Sequence, residues 1–462
     1  MVGNVIRSPG LPPSWRLGGD DRRPVVRVAI VNLFAPPDLA PSGHLAASLA
    51  EHRAALGDRV TLISGTGSYV VGHPGSGPGG TGPGANGRRP PRYGSIRIWT
   101  PSLGKGSIGR RVADYVAFLL GATVRLAVMP RQDVVIALTS PPYILVAAAV
   151  HRWLHPGTRV LLWSHDLYPD AAEAYGTVRQ GGTVSRACRA LQRWLFRSVD
   201  HVIAVDPAML TRVQASYATD GAPTGSMVPT WEPAALYPAD PVTERWARYE
   251  ASDLAGRFIV LHLGNLGYGH RIDTIAEVAS RLSDCEVTFL FVGGGARYRE
   301  LAEEVRRRGL RNVVLHGYVP KEVTPEVLAG ADCALISLDD RSLGIMSPCK
   351  MNGSLAMGVP VVYAGPPGST VDDTVRRFGC GFSIRHDDVD GVEAAIRVLH
   401  DDPARAAEMS RNARIAFEAS HSDTSALPRF DAVLDHLQSG SASVIGSSGS
   451  SQPEPGAGAS PC

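Results

Sequence analysis

Runs of apolar residues alternate along the chain with longer stretches in which apolar residues recur at helical spacing. The first run, VVRVAIVNLF at 25–34, is followed by a helical pattern over His44–Leu56 and by a second run, RVTLISG, at 59–65. Continuous apolar runs of this length, separated by helical patterns, are typical of parallel strands that helices cover on both faces. The pattern therefore predicts an α/β fold.

This alternation occurs twice, which predicts two domains. The first series continues with predicted strands at 95–101, 133–140, 158–166 and 201–206. The second series has predicted strands at 257–266, 287–295, 313–319, 333–338 and 359–365. Each series predicts a doubly wound, Rossmann-like domain, in which ligands bind at the carboxyl ends of the strands. With two such domains facing each other, the expected ligand site is the cleft between them.

Stretches rich in Pro, Gly and Ser interrupt the pattern and give the domain boundaries. The proline-rich stretch 229–256 is predicted to link a first domain at 25–228 to a second domain at 257–420. Residues 421–437 are expected to form a helix that can pack back on the first domain. The segments predicted to be disordered are the N-terminal tail 1–24, the C-terminal tail 438–462 and a flexible insertion at 72–92.

The composition narrows the classes of function. The chain has 462 residues, of which 44% are apolar, and a net charge of +2, so no nucleic acid or other strongly polyanionic partner is expected. The six cysteines include no Cys-x-x-Cys pair, which argues against a zinc site and fits a reducing cytosol. No run of about 18 apolar residues is present, and the N-terminus lacks an apolar signal region. We therefore expect a cytoplasmic protein.

Two loops of the first domain carry candidate chemistry. Ser42 and Gly43 lie where a helix starts, and free amides at such a start favour a phosphate or an oxyanion; an ordinary capped helix is the alternative. His165 and Asp166, in WSHDLYPD, follow a predicted strand at its carboxyl end. This is where an α/β fold places its chemistry, so both are candidate catalytic residues.

Glycines and cations cluster after the first strands of the second domain. HLGNLGYGHR contains Gly267 among three glycines that permit close backbone approach, and His270 and Arg271 add donors before a helix. The glycine spacing differs from the dinucleotide fingerprint, so a phosphate cradle is predicted instead. The next turn, FVGGG, which contains Gly294, is predicted to lie against a base or ribose, or to be simply a tight strand–helix turn.

The segment GIMSPCKMNGSLAMGVP at 344–360 predicts an anion site. Ser347 suits the N-cap of a helix and Pro348 its first position, where a missing N–H costs nothing. The free amides and dipole of that helix start favour an anion, and Lys350 adds a positive charge one turn in.

Taken in order, several segments resemble the retaining family-4 glycosyltransferases of the GT-B fold, especially those of bacterial surface-polysaccharide assembly. The matching pieces cover roughly residues 25–435, and each is weak alone. They are PPDLAPSGH, SPPY, WSHDLYPD, GNLGYG, FVGGG, HGYVP, SPCK and MGVPVVYAG. The resemblance implies transfer of a sugar, as a hexosyl or N-acetylhexosaminyl group, from a nucleotide-diphosphate donor. UDP is the commoner nucleotide in the family.

The resemblance assigns roles to the candidate residues. Gly43 would contact the donor diphosphate from the first domain, and His165 would line the face of the anomeric centre. Asp166 is a candidate for orienting the acceptor. Asn265 and His270 stand where many members carry an Arg and a Lys on the diphosphate. Arg271 can compensate for them, and Lys350 aligns with the Lys of the usual Ser-Lys segment.

The same segment departs from the family at an acidic pair. Many members have two acids separated by seven residues, the second of them on the donor ribose. The alignment puts Ile345 and Gly353 at these positions. Either Asn352 or a backbone amide takes over ribose recognition, or donor binding has been lost.

No metal or other cofactor is expected, because no Asp-x-Asp segment lies where a metal–diphosphate site would require one. The adjacent pairs Asp339-Asp340 and Asp372-Asp373 are expected to lie on loops. The leading function implied by the resemblance is a metal-independent retaining glycosyltransferase acting on a lipid-linked glycan or a natural-product acceptor. The alternatives are an inactive GT-B scaffold or partner subunit and, third, a sugar-nucleotide epimerase.

A basic helical pattern in SRACRALQRWLFRS repeats Arg at helical spacing, with Leu191, Trp194 and Leu195 as its apolar face. One interpretation is peripheral contact with an anionic membrane at the inner face of the cell membrane. The other is the solvated face of an ordinary amphipathic helix.

Overall fold

The computed structural model describes residues 24–38, 40–66, 90–101, 108–217, 223–237, 245–251 and 253–439. The two predicted tails and the predicted insertion at 72–92 lie outside these ranges, apart from residue 24, residues 90–92 and residues 438–439. Within the described ranges, no helix is both long enough and apolar enough to cross a membrane.

The first domain is built on a parallel seven-stranded sheet with the strand order β3-β2-β1-β4-β5-β6-β7. Its strands are β1 (Arg27–Val31), β2 (Arg59–Gly65), β3 (Gly94–Ile98), β4 (Val134–Leu138), β5 (Arg159–Ser164), β6 (His201–Ala204) and β7 (Thr224–Met227). Its helices are α1 (Pro41–Ala55), α2 (Ile108–Val128), α3 (Leu145–Leu154), α4 (Asp170–Ala174), α5 (Thr183–Phe196) and α6 (Pro207–Tyr217).

The second domain has a parallel six-stranded sheet with the strand order β10-β9-β8-β11-β12-β13. The strands are β8 (Phe258–Asn265), β9 (Val287–Gly294), β10 (Val313–His316), β11 (Cys333–Ser337), β12 (Val361–Ala364) and β13 (Gly381–Ile384). The helices are α7 (Asp273–Arg281), α8 (Tyr298–Arg308), α9 (Thr324–Ala329), α10 (Lys350–Ala356), α11 (Thr370–Phe378), α12 (Val389–Asp401), α13 (Pro403–Ala416) and α14 (Asp423–Ser439). The predicted fold of two Rossmann-like domains is confirmed.

Strand order determines which helices share a face of the first sheet. The chain steps outward from β1 to β3 in one direction and from β4 to β7 in the other. Because crossovers between parallel strands are right-handed, α2, α3, α5 and α6 cover one face and α1 covers the opposite face. Contacts between α2 and α3, between α3 and α5, and between α5 and α6 agree with this order.

The amphipathic helix α5 differs from its prediction. Of the residues assigned to its apolar face, Leu195 is buried, whereas Leu191 and Trp194 are exposed. Arg189 binds the carboxylates of Asp170 and Glu173 and also donates to the Tyr217 hydroxyl. The charge of Arg189 is therefore used inside the domain, and the exposed face of α5 is more apolar than its sequence pattern indicated.

The last helix, α14, packs on the first domain. Phe430 of α14 lies edge-on against Trp163 of β5, with ring centroids 4.6 Å apart, and its ring also contacts Trp231. The Asp431 carboxylate reaches α1, where it accepts hydrogen bonds from Arg53 at 2.8 Å and from His52 at 2.7 Å. The C-terminal segment thus ties the two domains together.

Arg53 joins α1 to α14, and replacing it tests whether this contact stabilises the fold. Its side chain is fully buried between the carboxylates of Asp58 and Asp431. Replacing Arg53 by Met would break the ion pair of the buried Asp58 carboxylate, and breaking a buried ion pair typically costs about 3–5 kcal/mol. We expect Arg53→Met to lower the free energy of unfolding by that amount in urea titration. A loss below about 1 kcal/mol, the size expected of a surface ion pair, would contradict a structural role.

Candidate active site

Backbone contacts hold the loop after β5 against the segment that precedes α10. The amide of Leu167 donates to the carbonyl of Ile345 at 3.0 Å, and Asp166 forms a β-bridge with Met346. Nearby, the hydroxyls of Tyr175 and Ser342 lie 2.9 Å apart. The structure therefore brings His165 and Asp166 of the first domain to the segment of the second domain that ends in Lys350.

Elsewhere the two domains are joined through side chains. The backbone amide of Thr370, at the start of α11, donates to the Asp206 carboxylate at 2.8 Å. Arg212 of α6 donates to the carbonyl of Leu343 at 3.0 Å. These bonds place the carboxyl ends of the two sheets opposite each other across the cleft, where ligands of such sheets bind.

His165 is positioned by its backbone and by a neighbouring ring. Its amide and that of Asp166 both donate to the Thr139 hydroxyl at 3.0 Å, just beyond the end of β4. The imidazole lies 5.0 Å from the Trp163 ring, between centroids. Its Nε2 has no hydrogen-bond partner among the described residues. Burial lowers the pKa of His165 to about 4, so the imidazole is neutral at pH 7 and offers one unused nitrogen.

Asp166 lies beside His165 in a different electrostatic setting. Burial raises the pKa of its carboxyl to about 6. Tyr115 of α2 and Tyr168 of the same loop lie close enough to interact with it electrostatically, and Arg111 of α2 interacts in turn with both tyrosines. A carboxylate near two phenols can accept hydrogen bonds from hydroxyl groups. This corner of the cleft therefore suits an acceptor sugar or alcohol.

Glycines at the ends of β8 and β9 let these strands meet closely. Gly293 has a φ of +148°, and a Cβ there would lie 2.0 Å from the Gly264 carbonyl oxygen. Gly295 is similar, since a Cβ would lie 2.5 Å from the Leu266 carbonyl oxygen. Close packing of the backbone is therefore enough to explain Gly293 and Gly295. This agrees with the second interpretation of FVGGG, a tight strand–helix turn. At Gly294, by contrast, a Cβ would meet the Tyr318 ring at 2.8 Å.

The other residues of the HLGNLGYGHR loop divide into two groups. Gly267 and Asn265 line the turn together, since a Cβ on the glycine would lie 3.2 Å from the asparagine Nδ2. Arg271, in contrast, binds Asp273 through both nitrogens of its fork. The Asp273 carboxylate therefore neutralises much of the positive charge of Arg271. This weakens the prediction that Arg271 replaces the missing cations.

Lys350 and His270 form the most unusual contact of the cleft. Nδ1 of His270 donates to the Ser337 carbonyl at 2.7 Å, which leaves Nε2 as an acceptor. The Lys350 ammonium donates to this Nε2 at 2.8 Å. Among the described residues, no carboxylate lies within 4 Å of the ammonium, since Lys350 takes part in none of the ion pairs. The side chain stacks over Gly264, where a Cβ would be 3.5 Å from the lysine Cε.

Burial controls the charges of this pair. It holds the pKa of His270 well below its usual value, and the neighbouring Lys350 ammonium lowers that pKa further. Burial also lowers the pKa of Lys350 to about 8. At pH 7 the pair therefore carries one positive charge, on lysine, held by a neutral imidazole. A cation without a carboxylate in such a place can attract an anionic ligand.

The helix after the SPC turn starts later than predicted. α10 begins at Lys350, its N-cap is Cys349, and no side chain caps it. Ser347 lies in the preceding loop, so the predicted Ser cap and Pro first position are wrong. Lys350 is thus the first helical residue instead of lying one turn in. The Ser347 side chain is half-buried next to the bridge at Met346.

At the two positions where many family members have acidic residues, 345 and 353, this chain has residues that pack closely against their neighbours. Ile345 is buried in the domain interface. At Gly353, a Cβ would lie 3.2 Å from both the Leu328 side chain and the Tyr237 hydroxyl. The Asn352 amide donates to the Thr230 hydroxyl at 2.9 Å and is almost fully buried. Ribose recognition by Asn352 stays a prediction, and its side-chain NH2 is already engaged.

Gly43 and His44 extend the site to α1. Gly43 lies in the first turn, where a Cβ would press on the backbone of Phe34 and Ala35 at 3.0 Å. His44, which the sequence did not single out, is half-buried, and its buried Nε2 has no hydrogen-bond partner among the described residues. Burial lowers its pKa, and it interacts electrostatically with Lys321 and Glu232. The signal for His44 was only its place beside Gly43.

The candidate aspartates are engaged with cations. Asp339 is held by both nitrogens of the Arg341 fork, and Asp340 pairs with Arg385. The pair at 372–373 lies in the first turn of α11, not on a loop. Within the described ranges, no group of three or more His, Cys, Asp or Glu side chains is arranged to hold a metal ion. Metal independence stays a prediction.

Comparisons with known proteins agree with this architecture. The "glycosyl transferase 4-like domain" model matches residues 42–224, and the "glycosyl transferases group 1" model matches residues 257–402. The putative colanic acid biosynthesis glycosyl transferase WcaI of Escherichia coli K12 is 24% identical over 246 residues, which are 52% of this chain. The match spans only 60% of the length of WcaI.

Solved structures share the fold over nearly the whole chain. Sucrose-phosphate synthase from Thermosynechococcus elongatus has a TM-score of 0.68 at 16% identity, covering 90% of this chain and 99% of that one. Anabaena Alr3699/HepE in complex with UDP and glucose has a TM-score of 0.64 at 14% identity, covering 89% and 99%. With two Rossmann-like domains, a cleft lined by the predicted motifs and both family models in sequence order, the chain belongs to the family-4 glycosyltransferases of the GT-B fold.

Proposed function

We propose that the protein transfers a sugar, with retention and without a metal ion, from a nucleoside-diphosphate sugar to a hydroxyl group of an acceptor. UDP is the proposed nucleotide, and the acceptor is a lipid-linked glycan or a natural product. The observation that carries the proposal is the Lys350 ammonium, held by a neutral His270 with no carboxylate within 4 Å in the described structure. This is a charge that a donor diphosphate would neutralise.

The proposed chemistry needs charge stabilisation more than it needs a strong base. The bond from the anomeric carbon to the diphosphate oxygen breaks, and the bond to the acceptor oxygen forms on the same face. The acceptor proton passes to a phosphate oxygen of the leaving group. Lys350, placed in advance where negative charge develops, stabilises that leaving group. His165 adds a neutral imidazole from the opposite domain, and Asp166 orients the acceptor hydroxyl.

A second candidate is an inactive GT-B scaffold or partner subunit. It is favoured by the buried positions of Ile345 and Gly353, where many members have acids and where this chain has apolar packing and Tyr237. A scaffold has no need for a site that binds nucleotide. The two candidates therefore differ in one measurable property, the affinity for a nucleoside diphosphate.

Isothermal titration with UDP and with GDP tests the proposal. We expect UDP to bind with a Kd of roughly 1 μM–1 mM, the range in which enzymes bind their substrates, and GDP to bind more weakly. Binding of GDP in place of UDP would correct the nucleotide but keep the enzyme. If neither nucleotide produces heat that saturates, while the chain melts cooperatively, the scaffold candidate replaces the enzyme.

A further inference from the structure

Three neighbouring helices of the first domain expose an apolar surface that the proposed reaction does not use. On α2 the exposed side chains Val112, Val116, Leu120, Val124 and Val128 recur every four residues, opposite the buried Phe118, Ala122 and Leu126. Leu120 is 62% exposed and Val124 63%. Contiguous exposed apolar patches of this kind mark protein or membrane contact sites.

The surface continues across α3 and α5. Trp153, near the end of α3, is 79% exposed, and Leu154 beside it is also exposed. On α5 the flank carrying Leu191 and Trp194 is exposed as well, with Trp194 at 57%. The opposite flank of α5 faces α6, since Arg193 donates to the Ser216 carbonyl. The apolar flank of α5 is therefore turned towards α3 and α2.

The charged residues around the apolar surface of α2, α3 and α5 indicate which kind of partner it binds. Helices α2, α3 and α5 contain one acidic residue, Asp114, against Arg110, Arg111, Arg125, Arg152, Arg186, Arg189 and Arg193. Arg152 and Arg189 are bound to carboxylates. Arg125, Arg186 and the C-cap Arg197 are exposed. An apolar face with tryptophans and a margin of arginines complements an anionic bilayer, where the rings enter the interface and the guanidinium groups meet headgroups.

We propose that this three-helix face docks on an anionic lipid bilayer. A second copy of the chain is a poorer occupant, because pairing this face with itself would bring the two sets of arginines together with only Asp114 to offset them. The face also leads to the cleft. Helix α2 carries the exposed stripe on its outer side and places Tyr115, about two turns from its N-terminal end, near Asp166.

The docking face adds a route for the acceptor to the proposed function, and this route rests on the proposed function being correct. If the acceptor is lipid-linked, its hydroxyl group would reach Asp166 from the bilayer along the N-terminal end of α2. The acceptor would then arrive from the side of the molecule that carries α2. Vesicle binding itself requires neither donor nor acceptor, so it is measured separately from catalysis.

Co-sedimentation of the full-length chain with vesicles tests the proposal. We expect binding to vesicles containing about one-third phosphatidylglycerol, weaker binding to pure phosphatidylcholine, and a loss of binding as salt is raised. Replacing Leu120 and Trp153 together by Ser should lower the partition coefficient roughly tenfold or more. The matched control is Ile415→Ser, which removes a comparably exposed apolar side chain from α13 of the second domain.

The outcomes are separable. Unchanged UDP titration and circular dichroism in the double variant would show that its loss of vesicle binding is not misfolding. Failure to bind UDP alongside normal vesicle binding would overturn the proposed function and leave the docking face. Absence of vesicle binding, equal loss in Ile415→Ser, or a dimer in light scattering that the double variant abolishes would overturn the bilayer as the partner.

Discussion

Replacing Lys350 by Met should reduce the affinity for UDP by roughly two orders of magnitude, because removing one partner of a buried charged contact costs about 2–5 kcal/mol. Met keeps the aliphatic stem that packs over Gly264, so the fold should survive. It also removes a buried cation whose pKa is lowered to about 8 by burial. Thermal unfolding without ligand should therefore be unchanged or slightly raised, while titration with UDP loses its signal.

Arg271 is the informative comparison for this prediction. The family resemblance made it the substitute for two missing cations, but its fork is engaged with Asp273 on the surface of the loop. Arg271→Met should weaken UDP binding only a few-fold, within the range of about 1 kcal/mol expected for exposed charges. Equal losses in the two variants would mean that the diphosphate lies nearer Arg271 than Lys350.

The same lysine predicts a pH dependence. Lys350 is cationic below its pKa of about 8 and loses its charge above it. The affinity for the proposed donor, a UDP-sugar, should therefore be flat up to about pH 7 and fall as the pH rises through about 8. His270, whose pKa is held well below its usual value, stays neutral throughout. Lys350→Arg keeps its charge and should give a flat profile; a flat wild-type profile would exclude Lys350 from donor binding.

The sequence predicted the buried strands better than the edges. β4 and β6 are buried at every position, so their apolar runs were unambiguous. The edge strands β7, TGSM, and β13, GFSI, were missed because they are short and contain few apolar residues. The other two edge strands, β3 and β10, have no buried residue either, but the apolar residues of SIRI and VVLH were enough to predict them. A strand that lies at the edge of a sheet needs no continuous apolar run, since one side of it faces other parts of the chain or solvent.

The sequence predicted the site residues whose place follows from the end of a strand. It did not predict contacts between side chains that are far apart along the chain. His165 and Asp166 follow β5, and the rule for parallel sheets places them at the cleft. The contact between Lys350 and His270 joins residues eighty positions apart, so no local pattern reports it. The same limit applies to α5, where spacing alone gave Leu191 and Leu195 one face and packing buried only Leu195.

His165→Ala should lower turnover by roughly 10²–10³-fold while changing the Kd for UDP less than about threefold, because removing one preorganised polar group at a reacting centre typically has that effect on rate. The imidazole comes from the domain opposite Lys350, and its Nε2 has no partner within the described structure. It is thus free to bond a group that arrives with the transferred sugar. The backbone amides of residues 165 and 166 both donate to the Thr139 hydroxyl, and these bonds do not need the imidazole ring. The loop should therefore stay in place and the variant should fold normally.

Turnover of the donor, measured as release of UDP in the presence of acceptor, checks this expectation. His400→Ala serves as the control, because His400 lies exposed on α12 beside Asp401 and far along the chain from the cleft loops. With a pKa of about 4, His165 stays neutral above about pH 5. Its contribution should therefore not titrate near pH 6.5, where an ordinary histidine would change charge. Unchanged turnover in His165→Ala would remove this residue from catalysis, and a Kd for UDP that weakens in step with turnover would make it a donor-binding group instead.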